Sequence, residues 1–565
     1  MSELDTLVIG SGAGGLAAAL PLAQAGQKVL VLEQHEIPGG WCHTFQLGGY
    51  RFSPGVHYVG ELGPEGRMRA LYEGLGVAGD MLFFELNPDG IDHVHIGAER
   101  FDIPKGKEAF AARLKRRFPE ESRGIDGYLD VVARLDGEFG ELLRIRGWKD
   151  ALTLPLRTPT ILRYGVSTLA SLLDRFVSNP TLRAILAIQC GDYGLPPATA
   201  PALLHAGVAA HYFRGGFYPK GGGVTLPRAF IRALKRAGGE IRLGARVERI
   251  LLERAGRGKR AVGVRLADGT EIRARRIVSN ADPGITYERL VGLENLSGLM
   301  RLRLRRTRYS VSALSLFLAA DYDVRAAGLD SGNYWYNSTA DLEAAYRFAL
   351  DSGTFAEGDD FPGAFLTVTT LKDPTKLHGA RHTMEAFTFV PYDPFKAWAH
   401  SRFGNRPESY KVLKEELTVR MLRTLEHLLP GISRTVAFSE LGTPLTNEHY
   451  IMATKGSIYG TEKNRWQIGP LSYGQQAPIA GLTLCGASTT GHGVMGATIS
   501  GLLAARAILG CRLGELLKDH GQSLQVYPAD NPEAWPEALR FRVRARTAAP
   551  EGAAAAEEPL EAVDA

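Results

Sequence analysis

Cysteine is scarce in this chain: Cys42, Cys190, Cys485 and Cys511 are the only four in 565 residues, with no C-x-x-C pair and no metal-ligand spacing. A disulfide scaffold is thereby excluded and no metal site is expected; reduced thiols fit a cytoplasmic-type compartment. Charge of one sign is also lacking. Sixty-six Lys and Arg against 61 Asp and Glu leave a net +5, too mild for a nucleic-acid partner. No secretory signal is read ahead of the first strand, so a cytoplasmic location is expected. Uninterrupted apolar runs are missing as well. Residues 7–32 come nearest, but a glycine turn and Gly26-Gln27-Lys28 break them, so a βαβ unit is the better reading than a membrane span. The length predicts two or more domains, and 45% hydrophobic with 22% charged residues is ordinary for a soluble globular protein.

Glycine is abundant, and its placement carries the first functional signal. In "LVIGSGAGGLAAALPLAQAGQKVLVLEQHEIPGGWCHTF" an apolar strand runs into Gly10, Gly12 and Gly15 in G-x-G-x-x-G spacing. An Ala-rich helix, a second strand and Glu33 follow. Such a turn lets backbone approach a pyrophosphate at a helix N-terminus, and a carboxylate about twenty residues on accepts ribose hydroxyls. Glu33 would repel a 2′-phosphate, which disfavours NADP; NAD and FAD both remain open at this point. The segment "LTLCGASTTGHGVMGATISGLLAARAIL" then repeats the strand, glycine turn and helix near the C-terminus, with Gly491, Gly493 and Gly496 clustered before the helix. A second cleared helix N-terminus suits a cofactor whose far end also gathers negative charge. A reduced flavin does; a nicotinamide does not. FAD is the expected cofactor.

The chain visits the nucleotide domain three times, at residues 1–80, 211–285 and 456–515. Between these lie a helical substrate- or membrane-facing part at 81–210 and a mixed substrate domain at 286–455. Residues 525–565, rich in Ala, Glu, Pro and Arg, are expected to form a disordered tail.

The blocks "GVHYVG", "GFYPKGGGV", "VSNADP", "GTPLTNEHYIMATKGSIYG" and "GASTTGHGVMGA" resemble the FAD-dependent phytoene desaturases and carotenoid isomerases, and most the retinol-saturase branch, over about residues 5–512. The resemblance implies a Rossmann-type α/β FAD-binding domain of the amine-oxidase and phytoene-desaturase kind, with an interleaved α+β substrate domain. It implies a flavin oxidoreductase acting on carbon–carbon double bonds of a conjugated isoprenoid, by saturation or desaturation, or alternatively a redox-neutral isomerase. Carried over by position, Gly10, Ser11, Gly12, Ala13, Gly14, Gly15, Glu33 and Gln34 would hold the ADP half. Gly39, Gly40 and Trp41 would approach the pyrophosphate and ribityl chain, and Val247 the adenine. Gly486, Ala487, Val494 and Met495 would lie by the ribityl and isoalloxazine. Ser53 departs from the family, where many relatives carry an acid, and Trp41 replaces a small or basic residue. A different class of reading also exists: Rab escort proteins and GDP-dissociation inhibitors share this fold and bind prenylated chains without catalysis.

Flavin chemistry on an alkene needs a proton donor or acceptor besides the hydride position. His57, Tyr58, Tyr459 and His492 are the candidates that the motifs place beside the ring. Beyond the two turns at Gly10–Gly15 and Gly491–Gly496, no G-x-G-x-x-G follows a strand elsewhere, so NAD(P) would serve only as a transient electron donor or acceptor, alongside a quinone, oxygen or a protein. For a lipophilic polyene, the basic cluster Lys105, Lys107, Arg113, Lys115, Arg116 and Arg117 beside apolar residues 151–173 predicts a peripheral membrane contact. Oligomeric state is not readable.

Overall fold

A computed structural model describes residues 4–143, 148–256, 258–377 and 379–547. Five parallel strands form its first sheet, in the order Glu240–Arg242, Val29–Leu32, Leu4–Ile9, Glu271–Ser279, Leu482–Leu484. All three visits to the nucleotide domain therefore meet in one sheet. Leu7, Val8, Val31 and Ile277 are buried, as the near-continuous apolar runs of a sheet covered on both faces require. The antiparallel strands Val247–Ala255 and Gly258–Leu266 extend this sheet, and the last turn of their meander lies at Asp268-Gly269.

Helices Ala13–Gln24 and Gly493–Leu509 cover one face. They cross so closely that a Cβ on Gly501 would sit 2.1 Å from the carbonyl oxygen of Gly14. The small residues of both helices exist for this crossing, which brings the two glycine turns side by side.

A second seven-stranded sheet runs Val436–Gly442, Ser312–Ala320, His382–Val390, Gly363–Val368, Asn333–Asn337, Asp92–Ile96, Glu99–Ile103. Its last two strands belong to the part expected to be helical. Residues 82–103 form strands there, because His93, Val94 and Ile96 pair in parallel with the buried strand Asn333–Asn337. Helices from Lys107 to Tyr212 then cap the site.

The expected disordered tail is corrected over residues 525–547. Gln525–Pro528 pairs in parallel with Leu82–Glu85, and Trp535 and Leu539 pack on Phe84. A helix follows at Glu537–Thr547. Two bulky side chains, Trp535 and Leu539, anchor a segment whose average composition looks polar. Residues 548–565 lie outside the described ones. Burying a side chain like Trp535 is worth about 3–5 kcal/mol. Truncation after Leu524 is thus expected to lower the melting temperature by several degrees while leaving bound cofactor in place; an unchanged melting curve would show the segment to be dispensable.

Candidate functional site

One cavity of about 1430 Å³ runs from the first glycine turn to the helical cap. At one end Gly10 turns with φ +90°, and Gly12, Ala13 and Gly14 face the cavity. Asn280, at the end of the strand Glu271–Ser279, wedges between the turns: a Cβ on Gly12 would meet its amide nitrogen at 2.7 Å, and one on Gly14 its amide oxygen at 2.6 Å. Glycine spacing and a tertiary amide thus fix the cradle together. Ser11 and Gly15 shape the cradle from behind and do not line it.

Glu33 is buried and lines the same end. Its Oε2 accepts from the Ser11 backbone N–H at 3.0 Å and from Ser11 Oγ at 2.6 Å, and its Oε1 accepts from His35 N–H at 3.0 Å. Gly39 N–H in turn donates to Ser11 Oγ at 2.9 Å. One carboxylate therefore stitches the first glycine turn to the Gly39–Gly40–Trp41 loop. Gln34, Gly39, Gly40, Trp41 and Val247 line the cavity beside it.

At the other glycine turn, Gly486, Ala487, Val494 and Met495 line the cavity. The helix Gly493–Leu509 begins there with His492 as N-cap and no side-chain cap, so its first N–H groups are left for a ligand. Glycines cleared at both ends, a ribose-type carboxylate and a bare helix N-terminus fit an extended dinucleotide carrying a flavin.

Three of the four candidate catalytic side chains converge on one turn, Ile188–Asp192. Tyr58 donates to the Asp192 carboxylate at 3.1 Å and stacks on Tyr212 with centroids 4.2 Å apart. Tyr459 donates to Gly191 O at 2.6 Å, and His492 Nε2 to Asp192 O at 3.0 Å. A carbonyl only accepts, so the His492 proton is on Nε2 and its buried Nδ1 is a free acceptor. Burial lowers the His492 pKa to about 4, so it is neutral and a weak base that holds a second proton poorly.

His57 points elsewhere. Its Nδ1 is 3.2 Å from Glu385 Oε2, and its ring packs on Phe365 and Phe387. Lys372 Nζ donates to the His57 carbonyl at 2.7 Å and fixes this turn. Glu385 also accepts from Ser53 N–H at 2.7 Å. The acid missing at position 53 is thus supplied from the second sheet.

Two residues facing the cavity escaped sequence reasoning. Asp192 is held well above the usual carboxyl range, first by burial and then by Asp92, which favours its protonated form at the centre of the cluster. Lys463 is buried with Thr461 Oγ as acceptor at 2.9 Å, and burial brings its pKa down to about 7. Neither sits in a motif that would single it out. The walls beyond them are apolar: Phe139, Ile161, Val166, Leu203, Leu204 and Val208.

The basic cluster Lys105–Arg117 is largely ion-paired. Five of its six cations pair with carboxylates: Lys105 with Glu85, Lys107 with Asp130, Arg113 with Asp89, Lys115 with Asp126, and Arg117 with Glu99. The partners come from neighbouring elements and cancel most of the field. No helix among the described residues is long and apolar enough to cross a membrane.

The chain shares this arrangement with proteins of known activity. An all-trans-retinol 13,14-reductase of Danio rerio is 31% identical, covering 90% of this chain and 86% of its own. A chloroplastic prolycopene isomerase of Arabidopsis thaliana is 26% identical, covering 90% and 83%. A putrescine oxidase structure superposes with a TM-score of 0.58 at 17% identity, over 90% of this chain and 99% of that one, which speaks to the fold alone. The profile of the flavin containing amine oxidoreductases matches residues 13–346, more than half the length. The chain belongs to the flavin containing amine oxidoreductases.

Proposed function

We propose that the protein is an FAD-dependent oxidoreductase that reduces a carbon–carbon double bond of a conjugated isoprenoid. The observation that carries this reading is the continuity of the cofactor cradle with a long apolar cavity in which the Gly191–Asp192 turn meets Tyr58, Tyr459 and His492. The retinol reductase likeness favours reduction over dehydrogenation, and the prolycopene isomerase likeness keeps isomerisation as the second reading.

Gly10, Gly12, Ala13, Gly14 and Glu33 would hold the adenosine diphosphate half, with Val247 at the adenine. Gly39, Gly40, Trp41, Gly486, Ala487, Val494 and Met495 would hold the ribityl and ring half. When bound, the flavin supplies a hydride to one alkene carbon. The other carbon needs a proton, which Asp192, whose protonated form burial favours, can pass through the Tyr58 hydroxyl. Aromatic walls at Tyr212, Phe365 and Phe387 exclude water and align a flat polyene. A nicotinamide would visit only transiently as electron donor, since the glycine cradle is committed to FAD. Retention of Glu33, the Gly39–Gly40 pair and the C-terminal glycine turn argues against a non-catalytic escort role. Anaerobic incubation of the reduced holoenzyme with all-trans-retinol, phytoene or poly-cis-lycopene tests the reading: a product two mass units heavier supports it, an isomer alone supports the second reading, and protein purified without flavin absorbance overturns both.

Substrate of this kind is dissolved in lipid, and apolar contact takes the place of charge in reaching it. Leu152, Leu156, Leu162 and Val166 are 70–84% exposed, and Val166 also lines the cavity. Each leucine buried in lipid contributes about 1.5–3 kcal/mol. Replacing Leu152, Leu156 and Leu162 by Ser is expected to cut vesicle co-sedimentation at least tenfold with flavin content intact, while reversing Lys115, Arg116 and Arg117 changes it less than twofold. Equal sedimentation of the Leu→Ser variant and the parent would remove this face as the membrane contact.

A further inference from the structure

The cavity meets solvent a second time, far along the chain from Val166. Arg465 and Leu471 line it and are exposed, and Arg303 lines it from the helix Gly298–Arg306. This helix and the 465–473 segment form one surface. Arg303 Nη2 donates to Leu471 O at 2.9 Å and Ser472 O at 2.7 Å, and its guanidinium lies 4.1 Å from the Tyr473 ring centroid. Arg308 N–H donates to Gln467 Oε1 at 2.8 Å, and Gln467 Nε2 returns to Arg308 O at 2.9 Å.

The exposed side of that surface is unusual in two respects. Leu299 is 78% exposed, Trp466 71% and Leu471 54%, all three on the helix and the segment that the Arg303 and Arg308 hydrogen bonds join. Around them stand Arg301, Arg305, Arg306, Arg308 and Arg465, none paired with a carboxylate among the described residues. The contrast with the Lys105–Arg117 cluster, where five of six cations are neutralised, is direct. Here the positive field is left open to solvent.

The composition selects the occupant. Arginine and tryptophan are the residues enriched at protein interfaces and their hot spots, whereas lysine is depleted there. Every cation named on this face is arginine. A dinucleotide would leave the three exposed apolar side chains uncovered. Reduction of one double bond consumes two electrons and two protons; both glycine turns, Gly10–Gly15 and Gly491–Gly496, face the one flavin cavity, so the electrons arrive from outside.

We propose that the face formed by Gly298–Arg306 and residues 465–471 docks an electron-carrier protein with an acidic surface, which delivers electrons at the second opening of the cavity. Two one-electron visits, or one two-electron visit, supply the electrons for each double bond, and solvent supplies the two protons. The inference rests on the redox reading above, and its test separates the two. Purified ferredoxin and flavodoxin serve as acidic carrier probes for the holoenzyme, with affinity measured at low and at physiological salt, and with the rate of flavin bleaching by each reduced carrier under argon. Binding of at least one carrier is expected, weakening steeply with salt as unscreened charge does. The triple variant Arg301→Glu, Arg305→Glu, Arg306→Glu should bind that carrier at least tenfold more weakly and be bleached correspondingly slower. Trp466→Ala, which leaves the charge alone, should lose affinity severalfold at either salt. Flavin content, bleaching by dithionite, and conversion of retinol by dithionite-reduced enzyme should match the parent in both variants; failure of that conversion in the parent counts against the redox reading and not against the docking face. The proposal is overturned if the parent binds neither carrier, or if the variants bind as the parent does. It is equally overturned if the substitutions impair NADPH-driven bleaching or anionic-vesicle binding instead.

Discussion

Glu33→Arg is expected to give protein that purifies without flavin. The carboxylate now accepts from two Ser11 donors and from His35 N–H, and through Ser11 it holds Gly39. An arginine offers five donors and no acceptor, so it faces three protein donors and two ribose hydroxyls with nothing to receive them. Hydrogen bonds to a charged group are worth about 1.5–3 kcal/mol each, so losing those to the ribose alone weakens cofactor binding by about 100-fold or more. The introduced cation, buried without a partner, adds to this. Glu33→Gln separates cofactor binding from folding: the amide keeps the shape and one acceptor, and partial flavin occupancy with an unchanged circular dichroism spectrum is expected. The check is the ratio of flavin to protein absorbance after gel filtration. A stoichiometric ratio in Glu33→Arg would show that the adenosine end is held by other groups.

The first glycine turn was legible because its requirements are local. Gly10, Gly12, Gly14 and Gly15 sit within one strand–helix turn, and most of their close approaches are to Gly10 or to Asn280 at the end of the adjacent strand, with the Gly486 backbone added at Gly14. The second turn was legible for the same reason, since Gly491, Gly493 and Gly496 precede an Ala-rich helix that packs on the first. What stayed hidden depends on groups far apart in the chain. Asp192 reads as a polar turn residue until Tyr58, Tyr212 and Asp92 close over it and remove its water. The Lys105–Arg117 cluster reads as a positive patch because Glu85, Asp89, Glu99, Asp126 and Asp130 are counted in other segments. The 525–547 segment reads as disordered because Trp535 and Leu539 are diluted by polar neighbours, although those two side chains decide whether it docks. Periodicity and spacing report local geometry; desolvation and charge pairing are properties of the folded surface.

Asp192→Asn is expected to lower the rate of double-bond reduction by about 10²–10⁴-fold, the range of a lost proton donor. The amide fills the same volume and can still accept from Tyr58, so flavin content and the cavity should be preserved. What it lacks is a transferable proton. In the parent, burial and Asp92 hold the Asp192 carboxyl well above its ordinary range, which favours the protonated donor, and the donor is lost as pH rises through that raised pKa. The parent should therefore show a rate that falls on the alkaline side. In Asp192→Asn that limb should disappear, leaving a low, flat profile. Tyr58→Phe should cause a smaller loss and keep the alkaline limb, since it removes the relay and leaves the acid. Isomerisation has no net proton demand, so a variant that loses reduction of retinol but keeps isomerisation of poly-cis-lycopene would assign Asp192 to the proton and leave the polyene-binding walls untouched. Unchanged reduction rates in Asp192→Asn across the pH range would remove Asp192 from the chemistry and return the proton to His57, Tyr459 or solvent.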